Sequence, residues 1–171
     1  MFVSLNDMTY ENAKEFDSYK RMIELGDGLS LGQVCNITKL KPHIIQNWIK
    51  RSYIPHPISK KYYTKHLARI LLINSLRNCM KIEDIGLLMK TINGDVDDES
   101  DDIISEEKLY KMFSTLILNL KDLNKIDEYI QRNVKNKKLQ EYMKIMVYAY
   151  IGSQMSNESN MYFIKSVKEE K

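Results

Sequence analysis

Gln46 and Asn47 are adjacent residues with amide side chains, in a segment whose apolar pattern predicts a short helix. A side-chain amide offers a hydrogen-bond donor and an acceptor together, and this combination pairs with the N6 and N7 edge of adenine in the major groove. His43, Lys50 and Arg51 flank the amides with groups that suit phosphate oxygens or guanine. These residue types predict a surface that contacts duplex DNA, on which the two amides read bases.

Lys60, Lys61 and Tyr62 form a second group of candidate DNA contacts. They follow a Pro-His-Pro sequence at 55–57, which disfavours helix, so residues 54–63 are predicted to form a short hairpin or loop. On such a loop the three side chains are placed to contact the nucleic-acid backbone. Neutralising about five phosphates in all would make log K fall with log salt with a slope of about −4 to −5.

The positive charge of the chain is concentrated in one segment. Residues 28–82 contain ten Lys and Arg and no Asp or Glu, whereas the rest of the chain has a net charge of −7, within an overall charge of +3. A compact block of one sign is typical of a module that binds a polyanion. The charge distribution therefore favours nucleic acid as the partner.

The sequence favours binding over catalysis. It has no G-x-S-x-G, P-loop or H-E-x-x-H motif, and no G-x-G-x-x-G after a strand. His43, His56 and His66 cluster with lysines, lack the spacing of metal ligands, and are expected at the surface or facing DNA. Cys35 and Cys79 have no C-x-x-C partner and are expected to be buried as small apolar residues. We therefore expect no enzymatic activity, no cofactor and no bound metal.

Residues 95–106 are rich in aspartate and glutamate, and the sequence leaves three interpretations of them open. One is a calcium loop, although Ser100 stands where an EF-hand needs glycine. A solvated linker that caps the next helix is the simplest interpretation. The third is an autoinhibitory or partner-binding segment whose acids would mimic a phosphate backbone. The acids that match EF-hand positions 1, 3, 5 and 12 are Asp95, Asp97, Glu99 and Glu106.

The elements that would position these residues are helices. Apolar spacing and end signals predict a helix at 9–25, a short helix that Ser30 caps and that runs to Ile37, and another at about 42–51. Pro42 suits the first position of the last helix, because its missing N–H has no partner there. The two short helices have the lengths of a helix-turn-helix.

Further helices are predicted along the rest of the chain. Thr64 is expected to cap a central helix that runs to about Met80 and is apolar on most sides. An amphipathic helix at 82–92 should end at Gly94, and the polar tail after Gly152 ends in an apolar sequence that suits a docking helix. Helices are also expected at about 105–121, 122–134 and 139–151. The helix at 105–121 has a stripe of apolar side chains that needs a partner surface. The stripe comprises Leu109, Met112, Phe113, Leu116, Ile117 and Leu120.

The length of the chain suits one globular domain, or one with a small appendage, since 171 residues can bury a real core. Arg69 and Asn74 interrupt the longest apolar run, which is shorter than the roughly 20 residues of a membrane span. Asp7 and Glu11 lie where a signal peptide would be basic. We therefore expect a cytoplasmic protein without a membrane partner.

Four segments resemble the winged helix-turn-helix of the MerR superfamily. They are LGQVCNIT at 31–38, IIQNWIKRSYIP at 44–55, KKYYTKHLARI at 60–70 and IEDIGLL at 82–88. Over a longer span, residues 29–109, the sequence is closely similar to the bacterial proteins grouped as domain of unknown function 1836. The MerR resemblance implies a recognition helix in the major groove and a short basic wing on the backbone.

The predicted fold is mainly α, with a MerR-like winged helix-turn-helix that has a short wing, followed by a C-terminal helical region. The predicted division is an N-terminal helix at 1–28 that braces the core, the DNA-binding domain at 29–93, an acidic linker at 94–104, and helices at 105–171 that dimerise or sense a signal. The predicted function is a sequence-specific transcriptional regulator that binds double-stranded DNA as a homodimer, with an effector or protein partner left open. The alternative is an adaptor whose helix-turn-helix no longer reads DNA and whose C-terminal helices dock another protein.

Overall fold

The structure, a computed structural model, describes residues 8–98, 100 and 102–168. Over these ranges the fold is mainly helical, which confirms that prediction, and no strand is formed. The only pairings of β type in the described ranges are two isolated bridges, Leu29 with Tyr62 and Ile58 with Lys61. The helices are α1 (Met8–Leu25), α2 (Leu31–Thr38), α3 (Pro42–Lys50), α4 (Thr64–Leu76), α5 (Ile82–Asn93), α6 (Glu106–Asn119), α7 (Ile126–Asn133) and α8 (Lys137–Phe163), with a 3-10 turn at Leu123–Lys125 and a π-helical turn at Ile164–Lys168.

Local signals account for the two short helices α2 and α3. The Ser30 hydroxyl accepts a hydrogen bond from the Gln33 N–H at 3.3 Å, and the Gln33 side chain accepts one from the Ser30 N–H at 2.8 Å. This reciprocal capping satisfies two backbone donors that the first turn of α2 leaves free. Lys39 turns the chain with φ of 57°, and Pro42 then occupies the first turn of α3. The short helices therefore begin where the sequence predicts.

Helix α4 lies at the centre of the molecule, since ten of its thirteen residues are buried and it packs against α1, α2, α5, α6 and α8. Its only buried cation, Arg69, forms an ion pair with the buried Glu106 at the start of α6 and donates from Nε to the Tyr53 carbonyl at 2.9 Å. A buried charge is tolerated only when it is paired, so this contact ties α4 to α6.

The ends of α4 differ from the predicted ones. Thr64 is the first helical residue and Tyr63 precedes it in extended conformation, with its N–H donating to His66 Nδ1 at 2.9 Å. The helix ends at Leu76 rather than near Met80. The cap is thus a histidine ring three residues on, which the sequence pattern does not indicate.

One hydrophobic core runs through all the helices of the described ranges. Helix α1 contributes Phe16, whose ring contacts Tyr110 of α6 edge-on at 4.6 Å, and Ile23. Helix α8 contributes Tyr150, which meets Phe113 of α6 at 6.1 Å. The apolar stripe of α6, predicted to need a partner surface, is therefore occupied within the chain by α1, α4 and α8.

Helix α8 continues past the glycine that was predicted to end it. Gly152 lies inside the helix, and a side chain there would meet the Cys79 sulfur at 2.9 Å. The glycine thus provides room for a close approach rather than a helix end. Cys79 is itself exposed and Cys35 half-buried, so the expectation that both are buried is wrong.

Candidate nucleic-acid interface

Helix α3 has one polar face and one apolar face. Its residues Ile45 and Trp48 are 0% and 6% exposed and anchor the helix on the core. The guanidinium of Arg77 lies 6.0 Å from the centre of the Trp48 ring. The side chains at intervals of three and four on the opposite face are all exposed, and they are His43, Gln46, Asn47 and Lys50.

Arg51 follows this face directly and is held by two contacts. It donates to Glu83 of α5 at 2.8 Å, and its guanidinium lies 4.9 Å from the centre of the Tyr53 ring. The hydrogen bond from Arg51 keeps the pKa of the Glu83 carboxyl below its usual value. Both side chains are exposed, so the guanidinium remains accessible while its position is restrained.

The loop between α3 and α4 makes a two-residue hairpin turn where a wing is predicted. The Ile58 and Lys61 backbones exchange hydrogen bonds of 3.0 and 2.8 Å, and the residues between them, Ser59 and Lys60, have φ of 49° and 65°. Two successive positive φ values are required by the tight hairpin turn whose twist matches paired strands. Lys60 is exposed on the turn, while Lys61 is half-buried beside Gly28.

Tyr62 was predicted to contact DNA, and the structure contradicts this. The residue is 4% exposed, and its backbone exchanges two hydrogen bonds of 2.8 Å with Leu29, which hold it against the core. Burial raises the pKa of its hydroxyl. The next residue, Tyr63, is only half-buried, and its hydroxyl donates to Asp27 at 3.1 Å. Successive side chains of an extended segment point to opposite sides, and the pairing with Leu29 sends Tyr62 inward.

His66, expected at the surface, is fully buried. Its Nδ1 accepts from the Tyr63 N–H, so its Nε2 carries the proton and donates to the His56 carbonyl at 3.0 Å. Burial lowers the pKa of this imidazole, the largest of the effects on it. His66 therefore holds the loop between α3 and α4 onto the start of α4, whereas His43 and His56 are exposed as expected.

Asp97 of the acidic segment contacts this loop. The Asp97 carboxylate accepts from the His56 backbone N–H at 3.0 Å and lies 3.0 Å from the His56 Nδ1. These hydrogen bonds lower the pKa of Asp97. Asp95 and Asp97, with Arg51 and Lys90, also line an open cleft of about 430 Å³.

The calcium-loop interpretation of this segment does not fit the structure. Glu106, the required twelfth ligand, is buried and paired with Arg69, and Asp97 is engaged by His56. Glu99 lies outside the described residues. No group of three or more His, Cys, Asp or Glu in the described part of the chain is arranged to hold a metal ion.

Two cations that the sequence reasoning did not select belong to the same surface. Lys39 and Lys41 occupy the turn between α2 and α3 and are exposed. Along the described ranges, neither forms an ion pair, and the same holds for Lys50 and Lys60. The position of Lys39 and Lys41 directly before the predicted recognition helix is the sequence feature that could have identified them as candidate contacts. Together with the α3 face they form what we call the basic surface: Lys39, Lys41, His43, Gln46, Asn47, Lys50, Arg51 and Lys60.

Comparison with known proteins assigns the chain to a family. The family described as Domain of unknown function (DUF1836) matches residues 21–113, which is more than half of the chain. The chain belongs to the DUF1836 family. The predicted resemblance to this family is thereby confirmed, and the matched region runs from the end of α1 to Phe113 in the middle of α6.

A relative is found in Bacillus subtilis strain 168. The uncharacterized protein YkrK is 32% identical over 106 residues, which cover 60% of this chain and 45% of that protein. The match thus spans less than half of the relative's length. No solved structure matches the chain. None of the helices in the described ranges combines the length and apolar composition that crossing a bilayer requires.

Proposed function

We propose that this DUF1836 protein is a sequence-specific binder of double-stranded DNA that acts in transcriptional regulation. In this proposal α3 enters the major groove and the turn at Ile58–Lys61 contacts the backbone. The observation that carries it is the exposed face of α3, on which two amides lie between basic side chains while the opposite face is buried. Amides and cations at this spacing suit base edges and phosphates respectively.

The charge around α3 supports the same conclusion. Four lysines of the basic surface, Lys39, Lys41, Lys50 and Lys60, have no acidic partner in the described part of the chain. Cations kept free of intramolecular partners are available to replace the counterions of DNA, which provides most of the affinity of non-specific binding. Outside the basic surface, the described ranges contain cations that are engaged by acids, such as Lys20 and Lys111, and others that are not, such as Lys121. The four lysines are therefore distinguished by their position around α3.

The finer part of the proposal is a winged helix-turn-helix of MerR type. The chain between α3 and α4 is a two-residue hairpin turn, so we interpret it as a wing reduced to its tip. One lysine on such a tip, Lys60, would contact a single phosphate. The protein would bind as a homodimer that reads two half-sites separated by whole helical turns.

The experiment that tests the proposal is a titration of a fluorescent randomised duplex with the full chain across a salt series, followed by sequencing of the bound pool. We expect steeply salt-dependent binding and enrichment of a two-fold motif. Lys50→Glu should abolish the binding, because it reverses a charge on the α3 face. The matched control is Lys121→Glu, the same reversal at an exposed lysine after α6.

Two results would contradict the proposal. Absence of binding at low salt would leave the adaptor as the favoured function, with the basic surface as a protein-docking site. Binding that is equally weakened by Lys121→Glu would show a response to overall charge rather than to the α3 face.

A further inference from the structure

The C-terminal part of α8 extends beyond the body of the protein. Ser153 and Gln154 are the last buried residues of the helix, and every residue from Met155 to Phe163 is exposed. Isolated helices of this length are marginal in water, because helical stability in proteins comes mainly from packing of an apolar face. No other element of the described ranges buries this extension.

The exposed extension carries large apolar side chains. Met161 is 70% exposed and Tyr162 67%, and both border a shallow groove together with Ile164. The same groove is bordered by one acid, Glu158, and one base, Lys165. Apolar patches rimmed by charged residues typically mark interaction sites.

The order of these residues along the chain bears on the partner. Glu158, Met161 and Tyr162 lie on α8, Lys165 lies in the π-helical turn that directly follows, and all four border the same groove, so together they form what we call the C-terminal face. The sequence of types along this face is acid, apolar, apolar, base. In the reverse direction the order is base, apolar, apolar, acid, with the same spacing. When two copies of the face lie antiparallel, each acid is therefore opposite a base.

The charges of the C-terminal face are not satisfied within the chain. Glu158 and Lys165 are separated by seven residues, about 10 Å along the helix axis, which is too far for an ion pair. In the ranges that the structure describes, neither forms one with any other residue. Both charges are therefore available to a partner.

We propose that two copies of this chain associate through their C-terminal faces as antiparallel helices, with a two-fold axis between Met161 and Tyr162. In this arrangement Glu158 faces the partner's Lys165, Lys165 faces the partner's Glu158, and Met161 packs on the partner's Tyr162. A parallel pair in register would place Glu158 against the partner's Glu158, which is repulsive. The antiparallel pair is a closed isologous dimer.

The proposed association does not require DNA. It places the dimer contact on the C-terminal face instead of the apolar stripe of α6, because that stripe packs within the chain. The face is small in comparison with standard interfaces of about 1,600 Å². We therefore expect self-association in the micromolar range, which a duplex with two half-sites would tighten by holding both copies close together.

Sedimentation velocity of the full chain without nucleic acid, from low to several hundred micromolar, tests the proposal. We expect a monomer–dimer equilibrium that Met161→Asp weakens at least about tenfold, since each dimer would bury two unpaired charges. Asn160→Asp is the matched control, because it adds the same charge on the opposite side of α8. Circular dichroism of both variants shows whether the helix content is kept.

Charge exchange tests the pairing itself. Glu158→Lys and Lys165→Glu should each weaken the dimer about tenfold, because each change converts two attractive pairs into two repulsive ones. The double variant should restore the original dissociation constant. Additive weakening in the double variant would overturn the antiparallel pairing.

Cysteine crosslinking tests the orientation in chains that carry Cys79→Ser. A mixture of one chain with Glu158→Cys and another with Lys165→Cys should form a disulfide-linked heterodimer, faster than either chain links to itself. Faster self-linking of the Glu158→Cys chain would indicate a parallel pair and overturn the proposal. A chain that stays monomeric over the whole concentration range would overturn it as well.

Discussion

In the proposed complex with DNA, the side chains of the basic surface would contribute in different ways. Gln46 and Asn47 offer paired donors and acceptors whose fit depends on the base opposite them, so they would discriminate between sequences. Lys50 offers a charge that any phosphate attracts, so it would raise the affinity for every duplex. Substituting the two kinds of residue should therefore change different observables.

Gln46→Ala should relax sequence preference. We expect it to cost about 1–3 kcal/mol on the selected duplex and little on a random one. Lys50→Gln should weaken binding to both duplexes equally and lower the magnitude of the salt slope by about one. Anisotropy titrations of each variant against both duplexes measure these effects.

Lys138→Gln provides a control for these titrations, since it removes an exposed lysine at the start of α8. It should leave both affinities unchanged. If Gln46→Ala weakened both duplexes equally, Gln46 would not be a base-reading residue.

His66 links the stability of the protein to pH. Its folded-state pKa is lowered, chiefly by burial and also by Lys65, whereas its hydrogen bonds and Asp97 act in the opposite direction. The unfolded chain, with a pKa near 6.5, therefore takes up a proton first as the pH falls. The contribution of His66 to stability is complete above that value and is lost below it, at up to about 1.4 kcal/mol per pH unit, until the folded-state pKa is reached.

Urea unfolding at pH 7.5 and at pH 5 measures this effect. The free energy of unfolding should be lower at pH 5 than at pH 7.5. We expect this difference to be smaller in His66→Gln than in the unsubstituted protein. In the control, His43→Gln, the difference should remain, because His43 is exposed. An unchanged pH dependence in His66→Gln would assign the effect to other groups.

At the scale of elements, the turn at Ile58–Lys61 combines backbone strain with an exposed charge. Ser59 and Lys60 both adopt positive φ, which costs a residue other than glycine on the order of 1 kcal/mol or more. Asn-Gly is the pair that this turn type prefers. The chain carries a lysine at the strained position, which is consistent with a role for the charge at the tip.

The double variant Ser59→Asn with Lys60→Gly should separate stability from binding. We expect the free energy of unfolding to rise by about 1 kcal/mol as strain is relieved. DNA affinity should fall, and the magnitude of the slope of log K against log salt should decrease by about one, because one phosphate contact is lost. Chemical unfolding and anisotropy on the same preparation measure both.

Ser59→Asn alone is the control for the turn, since it keeps Lys60 and should keep DNA binding. If the double variant bound DNA with unchanged affinity and salt slope, the turn would not be part of the interface.

At the scale of the whole molecule, the predicted DNA-binding segment and the C-terminal helices share one core. Buried residues of α4 pack against α6 and α8, and Arg69 finds its partner in Glu106. The predicted boundaries at 93 and 105 cross this core. The predicted DNA-binding segment should therefore depend on the C-terminal helices for its folding.

A chain that ends at residue 104 should not fold cooperatively. It would lose α6 to α8 and leave the buried Arg69 unpaired, which alone costs about 3–5 kcal/mol. A chain that ends at residue 154 is the matched control, because it loses only the exposed extension and should unfold with nearly unchanged free energy. Urea unfolding followed by circular dichroism distinguishes them, and a cooperative transition in the shorter chain would establish 29–93 as an independent domain.

The sequence by itself determined the existence of the helices, the approximate bounds of α1, α2, α3, α5 and α6, and the exposed face of α3. Ser30, Pro42 and Gly94 act within one or two turns of their own positions, so the ends they set can be read without the fold. Apolar spacing in α3 likewise determines which side is buried, because helical geometry relates residues three and four apart. The membership in the DUF1836 family was also predictable from the chain alone.

The tertiary structure decided where loop residues point and which apolar faces are covered. In the extended segment after α3, a shift of one residue in the pairing would turn buried side chains outward and exposed side chains inward. The pairing with Leu29 places Tyr62 inward. Gly152 is compatible with a helix end or a close contact, and Cys79 on a distant segment determines which. The apolar stripe of α6 meets α1, α4 and α8, whereas the apolar side chains of the C-terminal face of α8 are exposed. Burial of this kind depends on partners far away in sequence, which local periodicity does not encode.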